Sequence, residues 1–296
     1  MDGIWAQLYQ DDRHHKPALI ACKNKGIREI IATVWGDNGT ECSVLATLPM
    51  LQLFAEHGYA EGEVDEAKMK ASFKFICRAD YDDFLALQYL DEVPGVPEGN
   101  WRDRNCSKPL MWQDILTGLV DYNFRDLPLN AHYEALAERI LPMVERNGDF
   151  ADFFRMNYEV AHVLSIKAEA GIRLTAAYKA GDKAALADFA ERVLPELRCR
   201  VAALREAHMA HWFRIYKPLG WDIYDLRYGG VLTRIDSAIA EIGMYLDGKL
   251  SNIAELEEER LPYHGDEGVV RYANYYGKVV SPSRIDPKPL YPHYLG

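Results

Sequence analysis

The stretch from residue 28 to residue 42 most constrains the fold of this chain, because it passes abruptly from apolar to turn-forming residues. Residues 30–34 are mostly apolar and rich in β-branched side chains, a pattern typical of a short buried strand. The Asp-Asn-Gly sequence at residues 37–39 then predicts a turn. Asn38 and Glu41 have the spacing of a capping box, which predicts that a helix begins directly after that turn.

A helix is also predicted before the strand, over residues 17–25, with Gly26 as its C-terminal cap. The order helix, buried strand, turn and helix is one unit of a parallel α/β fold, in which ligands bind just past the C-terminal end of a strand. Trp35 and Asp37 occupy that position and are therefore candidate binding residues. The alternatives are a core tryptophan at a strand end and an aspartate that only shapes the turn.

The remainder of the chain has helical periodicity, and the small, acidic residues 60–66 mark a boundary between the two regions. Apolar side chains three or four residues apart predict two long helices. The first stripe is Phe154, Tyr158, Ala161, Leu164, Ala168 and Ile172, and the second is Ala190, Leu194, Leu197, Val201, Leu204, His208, His211 and Ile215. Pro195 should shift or kink the start of the second helix, and a further helix is predicted from about residue 230 to residue 246. These elements predict an antiparallel helical bundle.

Charge and cysteine content narrow the class of partner and the compartment. The formal net charge of -11 argues against nucleic acid or an anionic membrane as a partner. The five cysteines are odd in number and form no CxxC pair, which favours reduced thiols in a cytoplasmic protein. The sequence also has no signal-peptide pattern and no run near the ~18 apolar residues of a membrane span.

No cofactor is expected, although one histidine pair has a spacing that suits a metal site. His208 and His211 lie three residues apart and would bind zinc if a third ligand converged on them. Both also continue the apolar stripe of their helix, and this favours packing in the core.

Several segments together resemble glycoside hydrolase family 20, in particular the bacterial branch of exo-β-N-acetylhexosaminidases that carries a helical C-terminal domain. Residues 33–43, Thr-Val-Trp-Gly-Asp-Asn-Gly-Thr-Glu-Cys-Ser, resemble the segment at the last barrel strand. Residues 3–5, Gly-Ile-Trp, are similar to the end of the seventh strand. Residues 212–220, 225–230 and 254–261 are similar to segments of the helical domain. The resemblance covers most of the chain in the family's order.

This resemblance implies a mostly α-helical chain with part of a (β/α)8 barrel at its front. Residues 1–60 would be the C-terminal remnant of the barrel, and residues 61–296 the α-helical C-terminal domain. A complete barrel needs about 250 residues, so we expect the chain to be a truncated gene product or one piece of a split enzyme.

The resemblance further implies removal of terminal β-linked N-acetylhexosamine from glycans. Family members use the acetamido oxygen of the sugar as nucleophile, with one Asp that orients the acetamide and an adjacent Glu as general acid/base. This pair follows the fourth strand and is expected to be absent here, so the chain alone should be inactive. Residues 264–267, His-Gly-Asp-Glu, superficially resemble the catalytic strand, but no apolar strand precedes them and we predict a solvated turn.

Substrate-binding roles follow from the same resemblance. Trp35 would wall the sugar subsite, because an aromatic face suits the apolar face of a sugar ring. Asp37 lies where the family often carries a Glu that hydrogen-bonds the outer hydroxyls, and its reach is one methylene shorter. Asn38 and Trp5 are further candidates. The expected partners are an N-acetylhexosamine-containing glycan and either a second copy of the chain or the missing barrel portion.

A different class of function remains open from the sequence, namely a non-enzymatic helical module for interaction or dimerisation. The two hypotheses differ in where Trp35 and Asp37 point. The glycosidase fragment is favoured if these two side chains line a cleft. The module is favoured if they are buried against the helices.

Overall fold

Helices dominate the computed structural model, which describes residues 15–34, 41–96 and 105–262. Their bounds are α1 Lys16–Asn24, α2 Leu48–Tyr59, α3 Glu66–Cys77, α4 Tyr81–Ala86, α5 Ser107–Trp112, α6 Asp121–Phe124, α7 Leu129–Arg146, α8 Ala151–Lys179, α9 Lys183–Asp188, α10 Leu194–Ile215, α11 Trp221–Leu246 and α12 Ala254–Glu257. Short 3-10 helices lie at Val44–Thr47, Leu87–Leu90 and Gly148–Phe150, and a π-helical turn lies at Phe189–Val193. None of the helices in the described ranges combines the length and the hydropathy that a membrane crossing requires.

The centre of the fold is α8, a helix of 29 residues. It packs against α7 and α10, and α10 in turn packs against α11. The turn at Gly148–Phe150 is so short that α7 and α8 must run antiparallel. Most of the two predicted stripes is buried in this core, and each large apolar side chain so buried contributes about 1.5–3 kcal/mol. The predicted helical bundle is therefore confirmed.

Local signals set several helix ends as predicted. Helix α1 ends at Asn24, and Gly26 follows with a φ of 70°, a left-handed conformation that glycine adopts without strain. Pro49 lies in the first turn of α2, where its missing N–H is no loss, so the chain restarts its helix there after the 3-10 turn. Pro195 lies in the first turn of α10 directly after the π-helical turn, which is the predicted disturbance.

Two helices depart from the sequence expectation. Helix α7 was not predicted, although Tyr133, Leu136, Ile140 and Met143 carry the three-or-four spacing and are buried. Helix α11 begins at Trp221, nine residues earlier than predicted. Glycine lowers helix propensity by about 1 kcal/mol per residue, which disfavours a helix that runs through Gly229 and Gly230. Packing of the buried side chains on either side of them overrides that preference.

The buried strand predicted for residues 30–34 is wrong for this structure. These residues are irregular, and Ile31 is 87% exposed. A parallel strand needs neighbouring strands for its backbone hydrogen bonds and for cover on both faces, and the described part of the chain contains no strand that could pair with it. The structure therefore does not show the barrel remnant that the resemblance implied.

Candidate functional site

The four predicted binding residues, Trp5, Trp35, Asp37 and Asn38, lie outside the described residues. The sequence His-Gly-Asp-Glu at 264–267 lies outside them as well. The structure does describe the segment that follows the candidate turn, Glu41 to Ser43. We call this segment the exit segment, and its contacts attach it to the helical bundle.

Glu41 is held by two cations from different helices. Its side chain is buried, with Oε2 2.7 Å from Nζ of Lys108 on α5 and Oε1 paired with a guanidinium nitrogen of Arg227 on α11. Both cations are buried too. Within this trio one carboxylate faces two positive charges, so the exit segment sits in a positive environment. Removing one partner of such a buried pair leaves an uncompensated charge and costs about 3–5 kcal/mol.

Arg227 is placed by aromatic packing as well as by charge. Its guanidinium carbon lies 6.0 Å from the centroid of the Trp112 ring and 5.7 Å from that of Tyr224. Such contacts attract a cation through the ring quadrupole. The Asp225 to Gly230 segment therefore does more than pack its own helix, because it binds the exit segment.

Ser43 is fixed by a chain of hydrogen bonds that reaches α8. Its Oγ lies 2.8 Å from Nε2 of His211 on α10, and Nδ1 of His211 lies 2.7 Å from Oδ2 of Asp152. The imidazole of His211 therefore bridges the Ser43 hydroxyl and the Asp152 carboxylate. Burial acts to raise the pKa of Asp152, but hydrogen bonds from His211 and Arg214 outweigh it and lower that pKa.

Ser43, His211 and Asp152 are connected in the order of a serine hydrolase triad. Their surroundings nevertheless indicate a structural role. Ser43 is only 2% exposed. Its Oγ also accepts from the backbone N–H of Leu45 at 3.2 Å and so caps the 3-10 helix. The next amide, that of Val44, donates to the Tyr216 hydroxyl at 2.8 Å. The Ser43 hydroxyl is thus engaged by the backbone, and its hydrogen bond with His211 holds the exit segment on α10.

The two histidines weighed as zinc ligands are bound to protein groups. His208 Nδ1 lies 3.0 Å from the Tyr228 hydroxyl, and burial lowers the pKa of His208 to about 3. His211 bridges Asp152 and Ser43. Across the ranges that the structure describes, no three His, Cys, Asp or Glu side chains are grouped to hold a metal ion.

Sequence reasoning missed the partners of the exit segment. The spacing from Asn38 predicts a capping box at Glu41, yet the Glu41 carboxylate binds Lys108 and Arg227, and the first helical turn begins only at Val44. The buried positions of the two cations on their helices were the available signal, since a cation on an apolar face needs a buried acid.

Comparison with known protein families assigns the helical part of the chain to a family. The family model described as the glycoside hydrolase 20C C-terminal domain matches residues 82–274, which is more than half of the chain. This range contains Lys108, Asp152, His211 and Arg227, the residues that hold the exit segment. A comparison with curated proteins finds no match. The resemblance stated from the sequence is therefore confirmed for the C-terminal portion.

Proposed function

The chain belongs to the family of the glycoside hydrolase 20C C-terminal domain, and we propose that it forms the C-terminal part of a β-N-acetylhexosaminidase-like glycoside hydrolase. The substrate is a glycan that ends in N-acetylhexosamine. Residues of this chain bind the sugar, whereas the Asp-Glu pair that performs the chemistry is not assigned to any residue here.

The observation that carries this proposal is the attachment of the exit segment to the family domain. Glu41 is bound by Lys108 and Arg227, and Ser43 by His211. Glu41 is three residues from Asn38 and six from Trp35. The segment directly after the candidate turn is thus bound to the family domain, which supports a binding role for the turn, because preorganised neighbours reduce the entropic cost of binding.

Each turn residue has a distinct role in the proposal. Trp35 stacks on the apolar face of the sugar ring. Asp37 accepts hydrogen bonds from outer hydroxyls, and Asn38 and Trp5 complete the wall of the subsite. The two buried cations that face Glu41 keep the exit segment in place while the turn contacts the ligand.

The remaining chain up to residue 60 is proposed to be the last part of a barrel, joined to a helical domain over residues 61–296. Ile30 and Val34 are each 45% exposed, and Ile31 is more so. Apolar β-branched residues exposed in a row are what a strand would show without its neighbours. The proposed partner that covers them is the rest of the barrel. The proposed compartment is the cytoplasm.

The test measures the binding of N-acetylglucosamine to the full chain by saturation-transfer NMR, detected at the acetamido methyl group of the sugar. We expect transfer to the wild type, none to Trp35→Ala and weakened transfer to Asp37→Asn. Tyr59→Ala is the matched control, because this aromatic side chain is exposed and lies on α2. Unchanged transfer to Trp35→Ala would contradict the proposed subsite. Release of p-nitrophenol from p-nitrophenyl N-acetyl-β-glucosaminide by the chain alone would contradict the absence of catalysis.

One observation favours the alternative, a non-enzymatic dimerisation module. Phe75 and Ile76 on α3 are strongly exposed, as is Tyr59 at the end of α2, and large exposed apolar side chains mark contact surfaces when they cluster. Light scattering coupled to size exclusion separates the two functions. A dimer that Phe75→Ser dissociates, together with no sugar binding, would favour the module.

A further inference from the structure

A second site is indicated by a cleft on the helical bundle that takes no part in the proposed sugar site. It has a volume of about 220 Å³, against about 30 Å³ for one water molecule. Its wall combines α8, the start of α7, the π-helical turn and α10. We call it the arginine cleft and define it by Asn130, Ser165, Arg173, Arg192, Glu196 and Arg200.

The π-helical turn Phe189–Val193 gives this cleft one of its walls. Pro195 has no N–H to donate to the carbonyl four residues earlier, so an uninterrupted α-helix is disfavoured at this point. The wider turn accommodates the proline and carries Arg192 and Val193 to the cleft. Single π-helical turns are rare and occur frequently at functional sites.

The lining has three cations and one anion. Arg192 pairs with Asp188 at 2.7 Å, and Arg200 pairs with Glu196 at 2.7 Å while it also donates to Ser165 Oγ at 2.9 Å. These bonds orient the Arg200 guanidinium, whereas the Arg192 pair lies at the surface. Asp188, which pairs with Arg192, adds a second anion beside the lining, so the group has an excess of one positive charge in a chain whose net charge is -11.

Two groups of the cleft keep donors that the described residues do not use. The Arg173 guanidinium lies 5.8 Å from the centroid of the Phe189 ring, and it has no hydrogen bond or ion pair within the described ranges. Asn130 accepts from the backbone of Glu169 through Oδ1, and in the same ranges its Nδ2 has no acceptor. A planar guanidinium whose N–H groups make no other hydrogen bond can donate two parallel hydrogen bonds to the oxygens of a tetrahedral oxyanion.

We propose that the arginine cleft binds the tetrahedral oxyanion of a phosphate or sulfate ester. Arg173 makes the bidentate contact, and the Asn130 amide and the remaining N–H groups of Arg192 and Arg200 complete the set of donors. Fixed neighbours reduce the entropy lost on binding. This site is independent of the sugar subsite, so either proposal stands if the other fails.

The test measures binding to the full chain by isothermal titration calorimetry at low ionic strength. The probes are inorganic phosphate, inorganic sulfate, N-acetylglucosamine 6-phosphate and N-acetylglucosamine 6-sulfate. We expect Arg173→Ala to weaken binding about tenfold or more, since a charge-assisted bidentate contact is lost. Arg173→Lys should retain an intermediate affinity, because it keeps the charge without the fork.

Arg198→Ala is the matched control, since Arg198 is an exposed arginine on α10 that pairs with Asp236 instead of lining the cleft. It should bind all four probes as the wild type does. Tighter binding of one sugar ester identifies the ester that the site serves. The proposal is overturned if none of the four probes binds, or if Arg173→Ala and Arg198→Ala weaken binding equally. Circular dichroism of each variant confirms that the bundle is folded.

Discussion

Oε2 of Glu41 lies 2.7 Å from Nζ of Lys108, and both side chains are buried. A charge removed from water needs a partner at this distance, because its desolvation otherwise costs several kcal/mol. With Arg227 on the other carboxylate oxygen, the contact joins the exit segment to α5 and α11. The position of the exit segment thus depends on residues far away in the sequence.

Glu41→Gln should destabilise the protein strongly. The substitution keeps the shape of the side chain but leaves Lys108 and Arg227 buried without their anion, so we expect a loss of about 3–5 kcal/mol in the free energy of unfolding. Urea denaturation followed by circular dichroism measures it. Asp247→Asn is the control, since its pair with Lys249 is exposed and should contribute little to stability. Equal effects of the two variants would contradict a structural role for the Glu41 ion pairs.

Ser43→Ala should loosen the start of the 3-10 helix. The variant removes the acceptor of the Leu45 amide and leaves Nε2 of His211 buried without its hydrogen-bond partner, which costs about 1–3 kcal/mol. Amide exchange at Leu45, measured by NMR, should become faster. Thr47→Val in the same turn removes a hydroxyl that, among the residues the structure describes, donates only to the Val44 carbonyl, so it should leave the Leu45 rate unchanged. A Leu45 amide that exchanges at the wild-type rate in Ser43→Ala would refute the cap.

Asp91 should make the protein less stable as the pH rises toward neutrality. Burial raises the pKa of Asp91 to about 7, against the smaller opposing effect of hydrogen bonds from Ser107. Between the unfolded pKa of about 3.9 and the folded value, the native state binds more protons than the unfolded state, so the free energy of unfolding falls with increasing pH. Asp91→Asn imitates the protonated acid and should remove this slope.

Denaturation of both proteins at several pH values between about 4 and 7 checks the prediction about Asp91. Asp247→Asn, at an exposed position, should keep the wild-type slope. A wild-type slope that persists in Asp91→Asn would show that other groups cause it.

Gly118→Ala should be poorly tolerated. Gly118 has a φ of 53°, and an added Cβ would collide with the Asp121 carboxylate and approach Nε of Arg260 to 2.9 Å. Gly181→Ala is the matched control, because Gly181 has a φ of 66° with open space around it and so reports backbone strain alone, about 1–2 kcal/mol. We expect Gly118→Ala to lower the melting temperature more than Gly181→Ala does. Equal shifts would mean that Asp121 and Arg260 move aside freely.

The sequence by itself determined the helical architecture, because an α-helix takes its hydrogen bonds and much of its pattern from residues three or four positions apart. The stripes in α8 and α10, the cap at Gly26 and the effect of Pro195 are all local in this sense. The resemblance to the family domain also followed from the sequence, and the match over residues 82–274 confirms it.

Only the tertiary structure decided the features that depend on distant partners. Residues 30–34 have the composition of a strand but remain irregular, since a strand forms only beside another strand. Glu41 and Arg227 are 186 positions apart, and no spacing rule joins them. The same holds for Ser43 and His211. The sequence predicts His211 only as a member of the apolar stripe of α10, but its hydrogen bond with Ser43 holds the exit segment on that helix. Periodicity fixes which face of a helix is buried, whereas packing selects which polar groups meet there.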